Sequence, residues 1–171
     1  MTRFLILSDT HGRIGRAADI LERNRGRLQG VIHLGDYAQD AERLRQAAPE
    51  LPFYMVSGNN DRPVIAPEQR VLCREGVTMF LTHGHRYRVD EREDLLGYAA
   101  AEAGATLALF GHIHLPMWET IGAVTYLNPG SLSLPHNPQG PTFATLELET
   151  GAPPKACLWI YRPEGQSKVL Q

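Results

Sequence analysis

The sequence predicts an α/β fold, in which helices cover sheets of largely buried strands. Short uninterrupted apolar runs, which are typical of strands buried on both faces, alternate with segments whose apolar residues recur at helical spacing. The chain has 171 residues, of which 43% are hydrophobic, and this is enough for the core of one domain. In the last third the helical pattern disappears, which predicts a second, largely antiparallel sheet packed on the first.

The predicted strands of the first two thirds are apolar runs that end at polar or glycine-containing segments. They are Arg3 to Leu7, Gly30 to Leu34, Pro52 to Val56, Val77 to Leu81 and Leu107 to Phe110. In the last third, strands interrupted by glycine and proline are predicted at Met117 to Glu119, Val124 to Leu127, Phe143 to Leu148 and Ala156 to Tyr161.

Three helices are predicted between the strands of the first two thirds. The first spans Ile14 to Leu28, with apolar residues on one side and arginines on the other. The second spans Ala41 to Ala48 and ends before a proline. The third opens at Asp90 and Glu93, which resemble a capping box, and stops at Gly104.

The domain organisation predicted from this pattern is simple. We assign residues 1–162 to a single domain and residues 163–171 to a polar, frayed C-terminal tail. The apolar run at the N-terminus is too short for a signal peptide, and no apolar stretch is long enough to span a membrane. The sequence therefore predicts a cytoplasmic protein without a membrane partner.

Charge and cysteine content exclude some classes of protein. The net charge of −2, from 17 basic and 19 acidic residues, gives no reason to expect a stable complex with nucleic acid. Cys73 and Cys157 lie in apolar runs and are predicted to be buried thiols rather than part of a disulfide framework. Without a Cys-x-x-Cys pair, a thiolate zinc site is not expected.

Five short motifs carry the chemistry: S-D-T-H-G, L-G-D, S-G-N-N-D, T-H-G-H and G-H-I-H. Most of them follow a predicted strand, and the carboxyl ends of strands are where open α/β sheets bind ligands. The motifs contain seven side chains of types that bind divalent metals: Asp9, His11, Asp36, Asn59, His83, His112 and His114. The sequence therefore predicts a metal centre assembled from loops at strand ends.

The spacing of these residues suits two metal ions. Asp9 and His11 are two residues apart, and at ~3.3 Å per extended residue their side chains can share one face and hold one ion. His112 and His114 repeat this spacing. Because two ions in a hydrolytic site lie ~3.5–4 Å apart, such a pair can also supply one ligand to each ion. Asp36, with two carboxylate oxygens, is the expected bridge.

The charge of the predicted centre indicates its substrate. Two divalent ions carry four positive charges, and Asp9 and Asp36 return two negative ones, which leaves about two positive charges. This balance favours a bridging hydroxide and an anionic substrate such as a phosphate ester. The mixture of imidazole and oxygen ligands suits manganese, which we expect first, and also nickel, iron, zinc or cobalt.

In this order the motifs resemble the calcineurin-like metallophosphoesterase family, whose pattern is D-x-H, G-D, G-N-x-D/E, a later H and G-H-x-H. The chain length, T-H-G-H and the later Asn128-Pro129-Gly130-Ser131 are similar to its small bacterial and archaeal phosphodiesterase branch, the YfcE-like proteins. The resemblance spans about residues 3–150. It implies a four-layer α/β/β/α sandwich, in which two mixed β-sheets are flanked by helices.

The same resemblance implies how the ligands divide between the ions. One ion would be held by Asp9, His11, Asp36 and His114. The other would be held by Asp36, Asn59, His83 and His112, with Asp36 as the bridge. Hydrolysis of a phosphodiester by a hydroxide between the two metals is the implied reaction.

Three further residues are candidate catalytic residues. Asn60 occupies a position where larger family members carry a histidine, and an amide cannot act as a general acid near neutral pH. His85 follows a ligand by two residues, and a role behind the ligands is as well supported as one at the substrate. His136 stands where small members often place an arginine, which suggests a phosphate donor or surrogate acid. His33, inside a strand, is expected to be a hydrogen-bonded core histidine.

A few residues outside the motifs bear on substrate and assembly. Arg13, Arg62 and Arg86 flank the ligand loops and can clamp phosphate, although solvated arginines are the more common case. Leu132 and Leu134 are compatible either with a homo-oligomer or with the core, so the oligomeric state stays open.

The predicted function is metal-dependent hydrolysis of a small phosphodiester. A phosphomonoesterase or nucleotide pyrophosphatase is the alternative within the same chemistry. A scaffold without catalysis, as in the retromer subunit Vps29, to which the chain is more distantly similar, is the alternative in another class. All seven ligand positions carry metal-binding residue types, which argues against a pure scaffold.

Overall fold

The computed structural model describes residues 1–169. Along the chain the elements are β1 (Thr2–Leu7), α1 (Gly15–Asn24), β2 (Gly30–His33), α2 (Ala38–Ala47), β3 (Phe53–Met55), β4 (Gln69–Arg74), β5 (Val77–Thr82), α3 (Asp94–Glu102), β6 (Leu107–Leu109), β7 (Pro116–Ile121), β8 (Val124–Pro129), β9 (Thr142–Leu148), β10 (Lys155–Arg162) and β11 (Gly165–Lys168). Short 3₁₀ turns occupy Arg25–Arg27 and His85–Tyr87.

The strands form two mixed sheets, as the family resemblance implied. The expectation that the last third forms a separate, largely antiparallel sheet is wrong, because its strands are divided between the two sheets. The larger sheet has the order β11-β10-β9-β1-β2-β3, and the smaller has the order β4-β5-β6-β8-β7. Strands β1, β2 and β3 are parallel to one another, and so are β5, β6 and β8 in the other sheet. The remaining neighbours pair antiparallel.

Three apolar clusters hold the layers together. The first lies between the two sheets and includes Ile6 and Leu146 from the larger sheet and Leu81 and Leu109 from the smaller. The second packs α1 and α2 on the outer face of the larger sheet, and the third packs α3 on the outer face of the smaller. The four-layer α/β/β/α arrangement is therefore confirmed.

Several element boundaries differ from those predicted. The first helix ends at Asn24 and continues only as a 3₁₀ turn, because the arginine-rich segment after it has no buried residue. The predicted capping box at Asp90 is wrong, since α3 starts at Asp94 and its N-cap, Glu93, makes no side-chain capping bond. Gly104 does end the helix, with a φ of 69° that glycine adopts easily.

Two strands that were not predicted from the sequence lie at edges of the sheets. Strand β4 is an edge strand in which only Leu72 is buried, so its pattern lacks a continuous apolar run. The predicted frayed tail is corrected for Gly165–Lys168, which pair with β10 through backbone hydrogen bonds that need no apolar side chain. The prediction of buried thiols is wrong for Cys73, which is exposed on β4, while Cys157 is half-buried and both thiols are free.

Within residues 1–169, none of the helices combines the length and the apolar character needed to cross a membrane.

Candidate metal centre

The ligand loops meet because they follow the parallel strands of both sheets. Strands β1, β2 and β3 end at the same edge as β5, β6 and β8, and each candidate ligand lies within a few residues of one of these ends. All seven histidines of the chain belong to this region. Six of them have a ring near at least one other histidine ring. His33 lies beneath them, fully buried and bonded through Nε2 to the Thr10 hydroxyl at 3.1 Å. His33 is thus the core histidine that was predicted.

Two buried carboxylates lie between the histidines. Asp36 Oδ1 is 3.3 Å from His83 Nε2, and Asp36 Oδ2 is 3.6 Å from His11 Nε2. Asp9 Oδ1 is 3.0 Å from His114 Nε2, 3.8 Å from His11 Nε2 and 3.9 Å from His83 Nε2. Each oxygen of Asp36 therefore faces a different histidine, as a bridging carboxylate requires. Asp9 Oδ1, in contrast, lies near the Nε2 atoms of all three histidines.

Several inward-facing atoms of this cluster have no protein partner. Asp9 Oδ1, His11 Nε2 and His83 Nε2 are buried without a hydrogen bond. The opposite ring atoms are satisfied, since His83 Nδ1 donates to the Leu34 carbonyl and His114 Nδ1 donates to the Leu134 carbonyl, both at 2.7 Å. These bonds leave Nε2 of each ring as the atom available to a cation. Buried polar atoms without partners are rare, so the residues present fit divalent metal ions.

The histidine rings fall into two groups. His83 contacts His112 and His85, with ring centroids 5.1 and 5.5 Å apart. His114 contacts His11 and His136, with centroids 5.3 and 4.8 Å apart. His112 and His114 therefore belong to different groups although they are two residues apart in the sequence. Two groups of three possible ligands, Asp9-His11-His114 and Asp9-Asp36-His83, satisfy the distances for holding an ion.

The backbone conformation of the loops that carry the candidate ligands was not predicted from the sequence. Five of the seven predicted ligands have left-handed backbone, with φ of 54° at Asp9, 46° at His11, 54° at Asp36, 69° at His112 and 58° at His114. The expectation of extended segments with two residues on one face is therefore wrong. Left-handed backbone in residues other than glycine costs about 1–3 kcal/mol each and tends to occur at functional sites.

Close approach of the loops also requires glycine at certain positions. A Cβ placed on Gly58 would lie 2.6 Å from the backbone nitrogen of Asp36 and 2.9 Å from Cδ2 of His83. A Cβ on Gly111 would lie 2.8 Å from Asp9 Oδ2. The glycines of these motifs are thus needed for the carboxylates to sit against the neighbouring loops.

The turn after β3 contains the two predicted asparagines. Asn59 is exposed in this turn. Asn60 is also exposed, and it donates its backbone N–H to Asp36 Oδ1 at 2.9 Å and its side-chain Nδ2 to Asp36 Oδ2 at 2.6 Å. The structure thus places Asn60 against the expected bridging carboxylate, which it orients through two hydrogen bonds.

Asp61 has a structural role that sequence reasoning missed. It is buried, and its carboxylate accepts hydrogen bonds from the backbone N–H of Ala38 at 2.5 Å and of Gly58 at 2.6 Å. Because Ala38 is the first residue of α2, Asp61 joins the start of that helix to the turn that carries the asparagines.

A second link joins the ligand loops of the two sheets. Asn128 Nδ2 donates to the Gly111 carbonyl at 2.8 Å, and the Ser131 hydroxyl donates to the Asp9 carbonyl at 2.9 Å. The Asn128–Ser131 turn therefore fixes the two loops through side chains. In the sequence, the signal for this turn is the resemblance of Asn128-Pro129-Gly130-Ser131 to the family.

The remaining candidate residues lie at the edge of the centre. His85 is partly buried, and its Nδ1 has no partner. Burial and the nearby His83 lower the pKa of His85 below its ordinary value. His136 is exposed and stacks on His114 with 28° between the ring planes. Its Nδ1 donates to the Ile113 carbonyl at 2.9 Å, which leaves Nε2 for another partner.

The carboxylate of Asp9 is held ionised by its neighbours. Burial opposes ionisation, but the close approach of His114, whose Nε2 lies 3.0 Å from Asp9 Oδ1, and the charge of His83 outweigh it and keep the pKa of Asp9 below its ordinary value. Burial also lowers the pKa of His112. Burial alone would lower the pKa of His114, yet the nearby Asp9 carboxylate raises it.

The three flanking arginines differ in their surroundings. Arg86 forms an ion pair with Glu68 at 2.6 Å. Arg13 and Arg62 line two separate cavities beside the centre. Of the two leucines considered for an oligomer, Leu132 belongs to the core and Leu134 is exposed.

The sequence of this chain matches the calcineurin-like phosphoesterase superfamily domain over residues 2–151. The match covers most of the chain, and the chain therefore belongs to the calcineurin-like phosphoesterase superfamily, the family that the motifs predicted.

Particular relatives extend this result. The chain is 33% identical over 155 residues to a probable metallophosphoesterase of Mycoplasma pneumoniae, covering 88% of this chain and 92% of that protein. It is 28% identical over 172 aligned residues to the phosphodiesterase YfcE of Escherichia coli, covering 86% and 88% of the two chains. Its fold is similar to that of Vps29 from Entamoeba histolytica in complex with zinc, with a TM-score of 0.80 and 20% identity, covering 98% and 97% of the two chains. These homologues support the assignment of this chain as a hydrolase.

Proposed function

We propose that the protein hydrolyses phosphodiesters with the help of two divalent transition-metal ions, manganese being the first expected. The observation that carries this proposal is the set of buried atoms without partners, Asp9 Oδ1, His11 Nε2 and His83 Nε2, which face one another around two carboxylates. Divalent ions bound there would supply Lewis-acid activation of water and neutralise charge on the phosphate.

The protein's own residues prepare this site in three ways. Asp9, His11, Asp36, Asn59, His83, His112 and His114 would hold the ions. The hydrogen bonds of His83 and His114 to backbone carbonyls fix the ring orientations, so little reorganisation is needed when an ion binds. Asn60 orients Asp36 through its two donated hydrogen bonds.

The proton for the leaving group has two candidate sources. His136 has Nε2 free and stacks on a ligand, so it can donate to a phosphate oxygen or to the leaving group. His85 is close to the other histidine group, but its lowered pKa disfavours the protonated form near neutral pH. Since Asn60 cannot act as an acid, we expect diesters with good leaving groups to react fastest.

Two observations favour hydrolysis of diesters over the alternative functions. The weak supply of a general acid suits activated diesters, and the Escherichia coli relative is named a phosphodiesterase. A phosphomonoesterase or nucleotide pyrophosphatase would use the same donor set and is separated by substrate. The likeness to Vps29 supports the fold, and an intact donor set favours catalysis over a scaffold.

A substrate and metal panel tests this proposal. We expect bis(p-nitrophenyl) phosphate to be hydrolysed with higher kcat/KM than p-nitrophenyl phosphate, with loss of activity on chelation and recovery with Mn²⁺ or Ni²⁺. The metal-replete protein should contain about two ions per chain by elemental analysis. Undiminished hydrolysis after exhaustive chelation would contradict the metal requirement. Higher efficiency on the monoester would favour the phosphomonoesterase, and fewer than one ion per chain would favour a scaffold.

Several sequence predictions stay predictions. These are the cytoplasmic location, a small phosphodiester as the substrate, the lack of a stable nucleic-acid partner and of a membrane partner, a possible homo-oligomer, and the limits of the domain at residues 1–162.

A further inference from the structure

A positively charged cavity lies beside the metal centre. It has a volume of about 290 Å³ and is lined by Arg13, Gly15, Arg16, Leu132 and Ser133. No acidic residue lines it, and two of its five lining residues carry a guanidinium group. A cavity with this charge favours an anion over a neutral group.

The cavity and the metal centre share a wall. The carbonyl of Thr10, which stands between two candidate ligands, accepts hydrogen bonds from the backbone N–H of Arg13 at 2.9 Å and from the Ser133 hydroxyl at 2.6 Å. The cavity therefore begins within one turn of His11. A substrate whose phosphodiester lies at the metals can extend into it.

The side chains of Arg13 and Arg16 differ in how firmly they are held by neighbouring residues. Arg16 donates to the Leu132 carbonyl at 2.5 Å, and its guanidinium lies 5.9 Å from the ring centre of Tyr161, so it is held on one wall. Asp19, the acid one turn further along α1, pairs with Arg23 at 2.7 Å. Among the described residues, the Arg13 guanidinium has no ion-pair partner, which leaves its donors available to a ligand.

We propose that this cavity binds a second anionic group of the substrate, a phosphate or a carboxylate, while the phosphodiester lies at the metals. The preferred substrates would then be small phosphodiesters that carry an additional negative group. This inference rests on the proposed function for its catalytic consequence, but the binding of an anion in the cavity can be measured without catalysis.

Gly15 provides a matched pair of test variants. It lines the cavity, and a Cβ built on it meets no atom within 4 Å. Gly15→Glu therefore places a carboxylate at the cavity without a clash, and an acidic residue in the first turn of α1 suits the helix. Gly15→Gln adds nearly the same volume without the charge. Arg13→Ala removes the free guanidinium, and Arg27→Ala removes an exposed arginine elsewhere as a control.

The first measurement uses inorganic phosphate and the metal-free protein, so that phosphate cannot bind through metals. NMR of the arginine Nε–H groups should show a saturable shift of Arg13 in the wild type and in Gly15→Gln. The shift should be lost in Gly15→Glu. Absence of a saturable shift in the wild type, or equal shifts in both variants, would overturn the proposed cavity site.

The second measurement compares two dinucleotides, TpT and pTpT, which differ only in a 5′-terminal phosphate. We expect the wild type to have kcat/KM for pTpT about tenfold above that for TpT, the size of one charge-assisted contact. The ratio should fall to about one in Arg13→Ala and Gly15→Glu and stay unchanged in Gly15→Gln and Arg27→Ala. A ratio near one in the wild type would overturn the proposed preference.

The two measurements separate this inference from the proposed function. Phosphate binding in the cavity with no hydrolysis of either dinucleotide would contradict the phosphodiesterase and leave the anion site supported. Hydrolysis of both dinucleotides at equal rates, with no phosphate shift, would contradict the cavity site and leave the phosphodiesterase supported.

Discussion

The two ends of the sheets contain the same local features but use them differently. At the end with the metal centre, Asp9 has left-handed backbone and a buried oxygen without a partner. At the opposite end, Glu75 also has left-handed backbone, with a φ of 51°, in the turn between β4 and β5. Its carboxylate accepts hydrogen bonds from the hydroxyls of Thr2 at 2.8 Å and Thr150 at 2.6 Å.

The carboxylate at the Glu75 end therefore contributes to stability, whereas the carboxylates at the other end are suited to binding a ligand. The hydrogen bonds from Thr150 and Thr2, with a smaller contribution from the N-terminal amine, lower the pKa of Glu75 to about 2. The Glu75 carboxylate is thus satisfied by the protein itself, whereas the carboxylates of the metal centre keep oxygens for a ligand. We expect changes at the metal-centre end to alter activity, and changes at the Glu75 end to alter stability without altering activity.

The largest effect is expected from Asp36→Asn. Residues that only orient metal ligands contribute about 10–100-fold to activity. Loss of the carboxylate proposed to bridge the ions should therefore lower kcat/KM for bis(p-nitrophenyl) phosphate by at least about 100-fold. Elemental analysis should show less bound metal. The metal-free variant should unfold within about 2 kcal/mol of the wild type, because one hydrogen bond from Asn60 is lost while a buried charge is removed.

Asp94→Asn is the control for this change, since Asp94 lies at the start of α3 and pairs with Arg92 at the surface. Its activity should equal that of the wild type. Activity of Asp36→Asn within tenfold of the wild type would remove Asp36 from the metal centre.

An intermediate effect is expected from Gly58→Ala. The added methyl would press on the backbone of Asp36 and on the His83 ring, so the Asp36 carboxylate must shift. We expect activity to fall by about 10–100-fold, and overpacking to lower the free energy of unfolding by about 1–3 kcal/mol. Gly26→Ala is the matched control, because a Cβ there meets no atom within 4 Å. Equal activity of the two variants would show that the loops tolerate more movement than the contacts suggest.

The smallest effect is expected at the opposite end, from Glu75→Gln. The pKa of Glu75 is lowered from 4.5 to about 2 in the folded state, so its ionised form stabilises the fold above about pH 4.5. This contribution is lost as the pH falls through about 2. The wild type should therefore exceed the variant in unfolding free energy at neutral pH, and the difference should shrink between pH 4.5 and 2.

Denaturant unfolding at several pH values measures this difference, with Glu119→Gln, an exposed residue of β7, as the control for loss of one surface charge. Activity at neutral pH should be unchanged in both variants. A pH-independent difference between the wild type and Glu75→Gln would contradict the assigned role of the carboxylate.

The parts of the fold that the sequence predicted are those in which burial determines the residue type. Strands β2 and β6, and β1 from Phe4 onwards, are buried on both faces of their sheets, so each is a nearly continuous run of apolar residues. Strand β11 was missed because an edge strand is held by backbone hydrogen bonds and leaves no apolar pattern.

The sequence predicted which residues belong to the candidate metal centre, but not the backbone conformation that brings them together. The residue types at Asp9, His11 and the other candidate ligands are those that bind divalent metals, so they can be recognised in the sequence. Their left-handed backbone depends on contacts between loops that are distant along the chain, such as the bond from Ser131 to Asp9. The role of Asp61 was hidden for the same reason, since one of its partners, Ala38, is 23 residues away.

The position of β1 between β2 and β9 has a consequence for biosynthesis. Asp9 is made early, but the Ser131 hydroxyl that holds its carbonyl is made 122 residues later. Until β9 leaves the ribosome, one edge of β1 stays unpaired and open to pairing with other chains. The strained loop of Asp9 also lacks its support until then. We therefore expect metal loading in the cell to follow the docking of the last strands rather than to drive it.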